Sequence, residues 1–432
     1  MTELVLSTRQ WLRFGTFTAF YFAQGVPIGL FSIALPAFLT EKGASLAEIA
    51  TYAGFISLPW AYKLIAGPIM DRFTYFPMGF RRPWVIIAQT GLVLSLITLA
   101  LSSSFGTPSI LILTWFGFVS NVFSASQDVA TDGMAIDILK ENERGRANAF
   151  MACGQTLGFS SFGALSGYLL VTYGMQTTAF VAAVIVGLIW LIAILMRERP
   201  GEKMLPWTEG EAAEVEHRSD ASIFAIGFDL VRTLIFPMSI VLVLMEFLNR
   251  ANDGIAIAFI PFYAVDVLGV ESAEYARVVG LVGILSAVVG LVIGPFIDKL
   301  GAKRLLIFVL LAGAAIRIIG WVGIVHYQFD LETLTYLYIA MSIVGQCIFV
   351  ATIAIFMTIC MKRIAASQFS VYMSLANLSR SVGSFLYARV PENVPVEHGL
   401  LMMAGLLVLA AIVTVFFNPE SHRQRIEQLE AE

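Results

Sequence analysis

GPIMDR, Gly67–Arg72, returns further along the chain as GPFIDK, Gly294–Lys299, with Asp71 and Asp298 227 positions apart. Upstream, LPAF (Leu35–Phe38) and IPFY (Ile260–Tyr263) are offset by 225, and Glu48 and Glu274 by 226. One landmark pair is chance, since Gly-Pro ends and acidic helix starts are common. Three at a near-constant offset read as a duplicated half.

Each copy is apolar. The 432 residues are 58% hydrophobic and 13% charged, against about 25% charged in soluble domains. Most of the chain divides into stretches of roughly 20 or more apolar residues, enough for a helix to cross a ~30 Å hydrocarbon core. Twelve such spans are predicted, near 14–40, 46–70, 83–104, 108–137, 145–172, 175–197, 232–266, 272–297, 303–326, 332–360, 366–390 and 398–418. The fold class expected is an all-α membrane protein of twelve transmembrane helices in two pseudo-symmetric six-helix halves. One break is long and polar, RERPGEKMLPWTEGEAAEVEHRSDAS from Arg197 to Ser222, and reads as a linker. The predicted organisation is an N-terminal half (1–198), a linker (199–226), a C-terminal half (227–420) and a tail (421–432).

Charge supplies the orientation. Arg9, Arg13, Arg72, Arg81, Arg82, Lys140, Arg197, Lys203, Lys303, Arg304 and Arg425 fall on one side of these spans, while Lys42 and Arg277 are exceptions on the other. By the positive-inside rule both termini are expected in the cytoplasm. The net charge of -4 is too small to imply a nucleic-acid partner. The N-terminus lacks the ordered regions of a signal peptide. Cys153, Cys347 and Cys360 are too few and scattered for a disulfide framework or zinc site. No GxxxxGK[ST] or HExxH occurs, and His217, His326, His398 and His422 lie in loops or at span ends. No cofactor is expected, and any energy must come from a gradient.

Parallel six-helix repeats are the architecture of the major facilitator superfamily. The loop GPIMDRFTYFPMGFRR resembles that superfamily's signature between spans two and three. A gating role is expected for Asp71, Arg72, Arg81, Arg82, Asp137 and Asp298, the alternative being an ordinary basic loop. In this architecture spans one, two, four, five, seven, eight, ten and eleven line the cavity.

Span four ends SASQDVATDGMAID, Ser124–Asp137. Asp128 lies about 13–14 Å above the cytoplasmic end at 1.5 Å per residue. Asp132, one turn on, shares its face, and Asp137 sits near the boundary. An ionised carboxylate in mid-membrane costs at least ~2.5–3.5 kcal/mol, so these acids call for a function. Asp128 and Asp132 can carry a proton; the bland alternative is a static ion pair with an intramembrane cation. Candidate cations are Lys63 of span two, Arg250 of span seven and Arg380 of span eleven. Arg317, in span nine, reads as a packing or pairing residue. Span seven, MEFLNRANDG, sets Glu246, Arg250 and Asp253 at helical spacing for local neutralisation. Span one, YFAQGVPIG, places Gln24 near the midplane beside Gly25 and Pro27, which can kink the helix. Gln155 and Gln346 fall at similar depth. The expected solute-binding set is Gln24, Lys63, Glu246, Arg250, Asp253, Gln346 and Arg380. Gly154, Gly158, Gly163 and Gly167, and Gly290 with Gly294, read as helix-packing faces.

YKLIAGPIMDRF with RRPW, SASQDVATDGMAID, and MTICMKRIAASQFSVYMSLANLSR (Met357–Arg380) together resemble the AmpG-type muropeptide permeases and, more widely, acetyl-coenzyme A transporters and siderophore importers. The resemblance implies that Lys63, Asp128, Asp132, Asp253 and Arg380 occupy family positions. It further implies proton-driven symport of a muropeptide-like solute across a bacterial inner membrane, with a small-molecule substrate, protons and the lipid bilayer as partners and a monomer as the unit. The chain departs from the permeases between Asp132 and Asp137, where they have a lysine, and around Gln346. Siderophore import and export by the same fold are the alternatives. A membrane-embedded acyltransferase would need an intramembrane His, which is missing, so no enzyme is expected. A non-transporting sensor would show no uptake.

Overall fold

The computed structural model describes residues 4–211, 230–327, 329–361 and 365–431, without the side chains at 71, 141–142, 144–145, 290–300, 357–358, 365–367, 423, 427 and 429–431. Much of the polar linker, 212–229, therefore lies outside the described residues.

Among the described residues twelve long helices and one tail helix follow in order. We number them α1 (Gln10–Glu41), α2 (Leu46–Ser57, a 3-10 turn over Leu58–Tyr62, then Lys63–Arg72), α3 (Arg82–Ser102) and α4 (Ile110–Ile138). A continuous run, Glu141–Leu195, contains α5 and α6, divided at Gly174, whose φ of 79° no L side chain readily adopts. Then come α7 (Pro237–Phe262), α8 (Ser272–Leu300), α9 (Ala302–His326), α10 (Leu331–Ile359), α11 (Ala365–Tyr387), α12 (His398–Phe416) and the tail helix α13 (Pro419–Ala431). Among the described residues eight helical stretches are long and apolar enough to cross a membrane, one of them being the joined α5–α6. The stretches that miss that test are α2, α7 and α11. The first is interrupted by its 3-10 turn, the second carries Glu246, Arg250 and Asp253, and the third is rich in Ser and holds Arg380. Large apolar side chains such as Leu94, Leu188, Phe308, Ile319 and Phe416 are exposed, as lipid-facing positions are in a protein whose backbone polar groups are closed within helices.

Two helices relax near a proline. In α1 a π-helical stretch, Gly29–Ala34, precedes Pro36, and in α7 another, Tyr263–Val267, follows Pro261.

The chain forms two compact units. Unit 1 comprises 1–43, 58–216 and 271–284; unit 2 comprises 44–57, 217–270 and 285–432. Neither is an uninterrupted stretch, because each takes a helix segment from the other's sequence range. Inside unit 1, α1 and α5 meet backbone to backbone: a Cβ at Gly158 would stand 2.3 Å from the Phe22 carbonyl oxygen, and one at Gly25 2.6 Å from that of Gln155. Inside unit 2, α7 and α11 do the same, with a Cβ at Gly254 falling 2.1 Å from the Arg380 carbonyl oxygen. Small residues permit this approach where lipid offers no hydrophobic drive for helix association. The face expected at Gly290 and Gly294 lies outside the described side chains.

Candidate functional site

In unit 1 the acids of α4 meet a lysine of α2. The 3-10 turn at Leu58–Tyr62 immediately precedes Lys63. Its ammonium forms a short ion pair with Asp128 Oδ2 and lies 4.9 Å from the centre of the Trp60 ring. The other carboxylate oxygen, Oδ1, accepts from Gln24 Nε2 at 2.5 Å, and Gln24 Oε1 accepts in turn from Gln155 Nε2 at 2.9 Å. Asp128 is thus buried with both oxygens occupied. Asp132, one turn further along α4, is exposed, and its carboxylate accepts a hydrogen bond from the Tyr21 hydroxyl. Trp60 is held by its indole N–H donating to Asn121 Oδ1 at 2.8 Å. A buried carboxylate bound by one cation and one amide is stable while ionised, and protonation leaves the cation without its counter-charge.

In unit 2 a second group gathers on α7. Arg250 Nε donates to Glu246 Oε1 at 2.7 Å and its Nη1 to Asp253 Oδ2 at 3.1 Å. Asn249 donates to Glu246 and Asn252 to Asp253, at 3.0 and 3.1 Å. The guanidinium lies 5.2 Å from the centre of the Phe349 ring. Asn249, Arg250, Asn252 and Asp253 border a cavity of about 160 Å³, closed by Tyr338, Met341, Ser342 and Phe349 of α10 and by Arg317 of α9. Arg317, expected to pack or pair, is buried and makes no ion pair among the described residues. Arg380 is half-buried on α11 and likewise has no carboxylate within 4 Å among the described residues. Gln346 is half-buried on α10 and does not border the cavity.

The expected gating residues divide. Arg81 Nε reaches Asp137 Oδ2 at 3.4 Å and runs against Gly133, where a Cβ would stand 2.6 Å from that nitrogen. Arg82 is buried and donates to the carbonyls of Ala193 and Lys203, each at 2.9 Å. Arg72 is exposed against Phe73, and the side chains of Asp71 and Asp298 lie outside the described residues.

Two acids that sequence reading missed organise this end. Glu198 is wholly buried and accepts the backbone N–H groups of Phe80, Arg81 and Arg82, which opens α3 on a carboxylate. Burial raises its carboxyl above the ordinary range and raises Glu202, which accepts from the amides of Glu198 and Arg199, to about 7. The only signal was acidic residues directly after a span, in RERPGE. Another buried pair, Arg13 with Glu143 at 2.7 Å, joins α1 to α5. Among the described residues no three His, Cys, Asp or Glu come together to hold a metal.

Comparison with known proteins bears on the family and the fold. The family description "Major Facilitator Superfamily" matches residues 16–388. The anhydromuropeptide permease of Escherichia coli is 27% identical over 369 residues, 83% of this chain and 70% of that protein. A Rickettsia bellii protein named putative transporter AmpG 1 is 24% identical over 385 residues, 87% of this chain and 90% of its own. Among solved structures, a D-xylose–proton symporter superposes with a TM-score of 0.70 at 15% identity, covering 94% of this chain and 97% of that one. A POT family transporter in complex with a thioalcohol-conjugated peptide gives 0.71 at 13% identity, covering 94% and 96%. At such identities the likeness is one of fold. Matched over most of its length, the chain belongs to the Major Facilitator Superfamily, as a membrane transporter and not an enzyme.

Proposed function

We propose that the protein imports an anionic or zwitterionic solute of muropeptide type in symport with protons. The observation that carries this reading is the Lys63–Asp128–Gln24 arrangement, in which one cation is neutralised by one protonatable group. With Asp128 ionised and no solute bound, the pair is neutral. With Asp128 protonated and a solute carboxylate on Lys63, it is neutral again. The two mixed states, proton alone or solute alone, leave an uncompensated charge in a buried site, at a cost of about 3–5 kcal/mol by analogy with a broken buried pair. Only the neutral states reorient readily, so proton and solute move together. Asp132, exposed and held by Tyr21, passes the proton to water on the cytoplasmic side.

The solute's remaining charges engage Gln24, Glu246, Arg250, Asp253, Gln346 and Arg380 in this reading, while Asp71, Arg72, Arg81, Arg82, Asp137 and Asp298 act in gating. Two six-helix halves, 1–198 and 227–420, rock about the site, joined by the linker 199–226, with the tail 421–432. The unit is a monomer in the bacterial inner membrane with both termini cytoplasmic. The names borne by the relatives support the solute class, since one is called an anhydromuropeptide permease. The test is uptake of an anhydro-muropeptide by proteoliposomes, outside acidic. Accumulation above the outside concentration supports the reading, and simple equilibration contradicts it.

A further inference from the structure

We propose that Arg317 makes the unit 2 cavity a receptor for a monoanionic carboxylate; this deepens the anionic-solute reading and rests on it only for what carries the carboxylate. More than one turn from the ends of α7, α9, α10, α11 and α12 in unit 2, the described charged side chains are Glu246, Arg250, Asp253, Arg317 and Arg380, three cations against two acids. Both acids are already bound to Arg250, at 2.7 and 3.1 Å, and are further held by Asn249 and Asn252. Arg317 is 5% exposed, its Nε has no partner, and its guanidinium makes one bond, to the Gly313 carbonyl of its own helix at 3.0 Å. A guanidinium offers five N–H donors. Leaving them unused around a buried charge is costly unless an anion visits.

The cavity suits one kind of anion. Its volume of about 160 Å³ is far more than one water requires. Arg317 presents a planar fork that matches a carboxylate bidentately. Tyr338 and Ser342 add hydroxyl donors, and Met341, Ile348 and Phe349 give apolar wall for an alkyl arm. Asp253 borders the same space, and its repulsion of a dianion is about twice that of a monoanion, which disfavours phosphate relative to a carboxylate. Gly345 leaves the volume open, since a Cβ there would meet nothing within 4 Å.

The experiment measures thermal unfolding of the full-length protein in nanodiscs while acetate, acetamide, chloride or inorganic phosphate is titrated at constant ionic strength. A saturable rise in Tm is expected with acetate, none with acetamide, and midpoints at least tenfold weaker with chloride and phosphate. Arg317→Gln should weaken the acetate midpoint at least tenfold, and Arg317→Lys should restore part of it. Gly345→Leu fills the cavity without touching a charge and should abolish the acetate effect, so it decides the matter where Arg317→Gln does not fold. An unchanged acetate midpoint in Gly345→Leu, or in folded Arg317→Gln, overturns the proposal. So does the absence of any saturable effect in the wild type, and equal effects of chloride or phosphate overturn the carboxylate class. Muropeptide uptake by wild-type proteoliposomes is scored separately. Uptake without an acetate effect removes the pocket alone, and an acetate effect without uptake removes the solute reading alone.

Discussion

Replacing Asp128 by Asn keeps the size of the side chain and its bond to Gln24 but removes the counter-charge of Lys63. The two partners are 5% and 15% exposed, so the remaining ammonium is poorly compensated by water. Breaking a buried pair costs about 3–5 kcal/mol, which corresponds to roughly a 10²- to 10⁴-fold change in a population or rate at 1.36 kcal/mol per decade. In the coupling scheme that penalty falls on one step. The empty carrier of Asp128→Asn holds an unpaired Lys63 and cannot return, whereas the loaded carrier, with a solute carboxylate on Lys63, is neutral. Net uptake should therefore fall at least 100-fold while exchange of labelled for unlabelled solute persists. The assay is paired, with gradient-driven accumulation and counterflow in the same proteoliposome preparation. The double variant Lys63→Gln with Asp128→Asn removes both charges and should regain thermal stability over either single variant while binding no solute. Wild-type accumulation by Asp128→Asn would refute the scheme, as would loss of counterflow in a variant that remains folded and monodisperse.

Asp132→Asn should slow uptake without eliminating it and require a more acidic outside, because it removes the proton's exit group and takes away a like charge one turn from Asp128; the pH profile of initial uptake rates measures this. Arg380→Ala should abolish muropeptide binding with little change in expression if its guanidinium holds the solute, and a folded variant with unchanged affinity would exclude that role. Gly254→Leu should prevent folding or lower Tm sharply, since its first carbon would lie 2.1 Å from a backbone oxygen of α11; Gly345→Leu, facing open space, serves as the control. Glu202, raised to about 7 by burial, opposes the packed state once ionised. Its neutral form favours packing at low pH, and that contribution is lost as pH rises through about 7. Tm should therefore decline between about pH 5 and 7, and Glu202→Gln should flatten this part of the curve, with Glu198, Arg199 and Arg82 left in place around it.

The spans were legible because apolar runs of membrane length are hard to read otherwise, and the repeated landmarks Gly67–Arg72 and Ile260–Tyr263 mark α2 and the end of α7, where hydropathy alone is weak. The helix break at Gly174 fell in the predicted gap between 172 and 175. Within one helix, side-chain pairing was also legible: Glu246, Arg250 and Asp253 meet at the spacing that predicted them. Between helices it was not. Three cations were candidates for Asp128, and the choice of Lys63 depends on the rotation of α2 after its 3-10 turn, which no spacing encodes. Gln24 was found by depth, but its bond to Asp128 depends on how closely α1 and α4 approach. Arg317 reads as a packing or pairing residue because span nine is not among the cavity-lining spans, a rule about helices that ignores how far an arginine reaches; its side chain borders the unit 2 cavity. Glu198 escaped notice because its partners lie 116 to 118 positions away, across a loop closure.

Coupling itself is tested most directly by recording solute and proton together. Purified protein is reconstituted into liposomes containing a pH-sensitive dye, with no initial pH gradient and potassium with valinomycin to clamp the voltage. An inward gradient of anhydro-muropeptide is then imposed. With symport the lumen acidifies as solute enters, the rate rises with solute concentration and saturates, and Asp128→Asn abolishes the acidification. Solute entry with no change in lumenal pH would contradict symport.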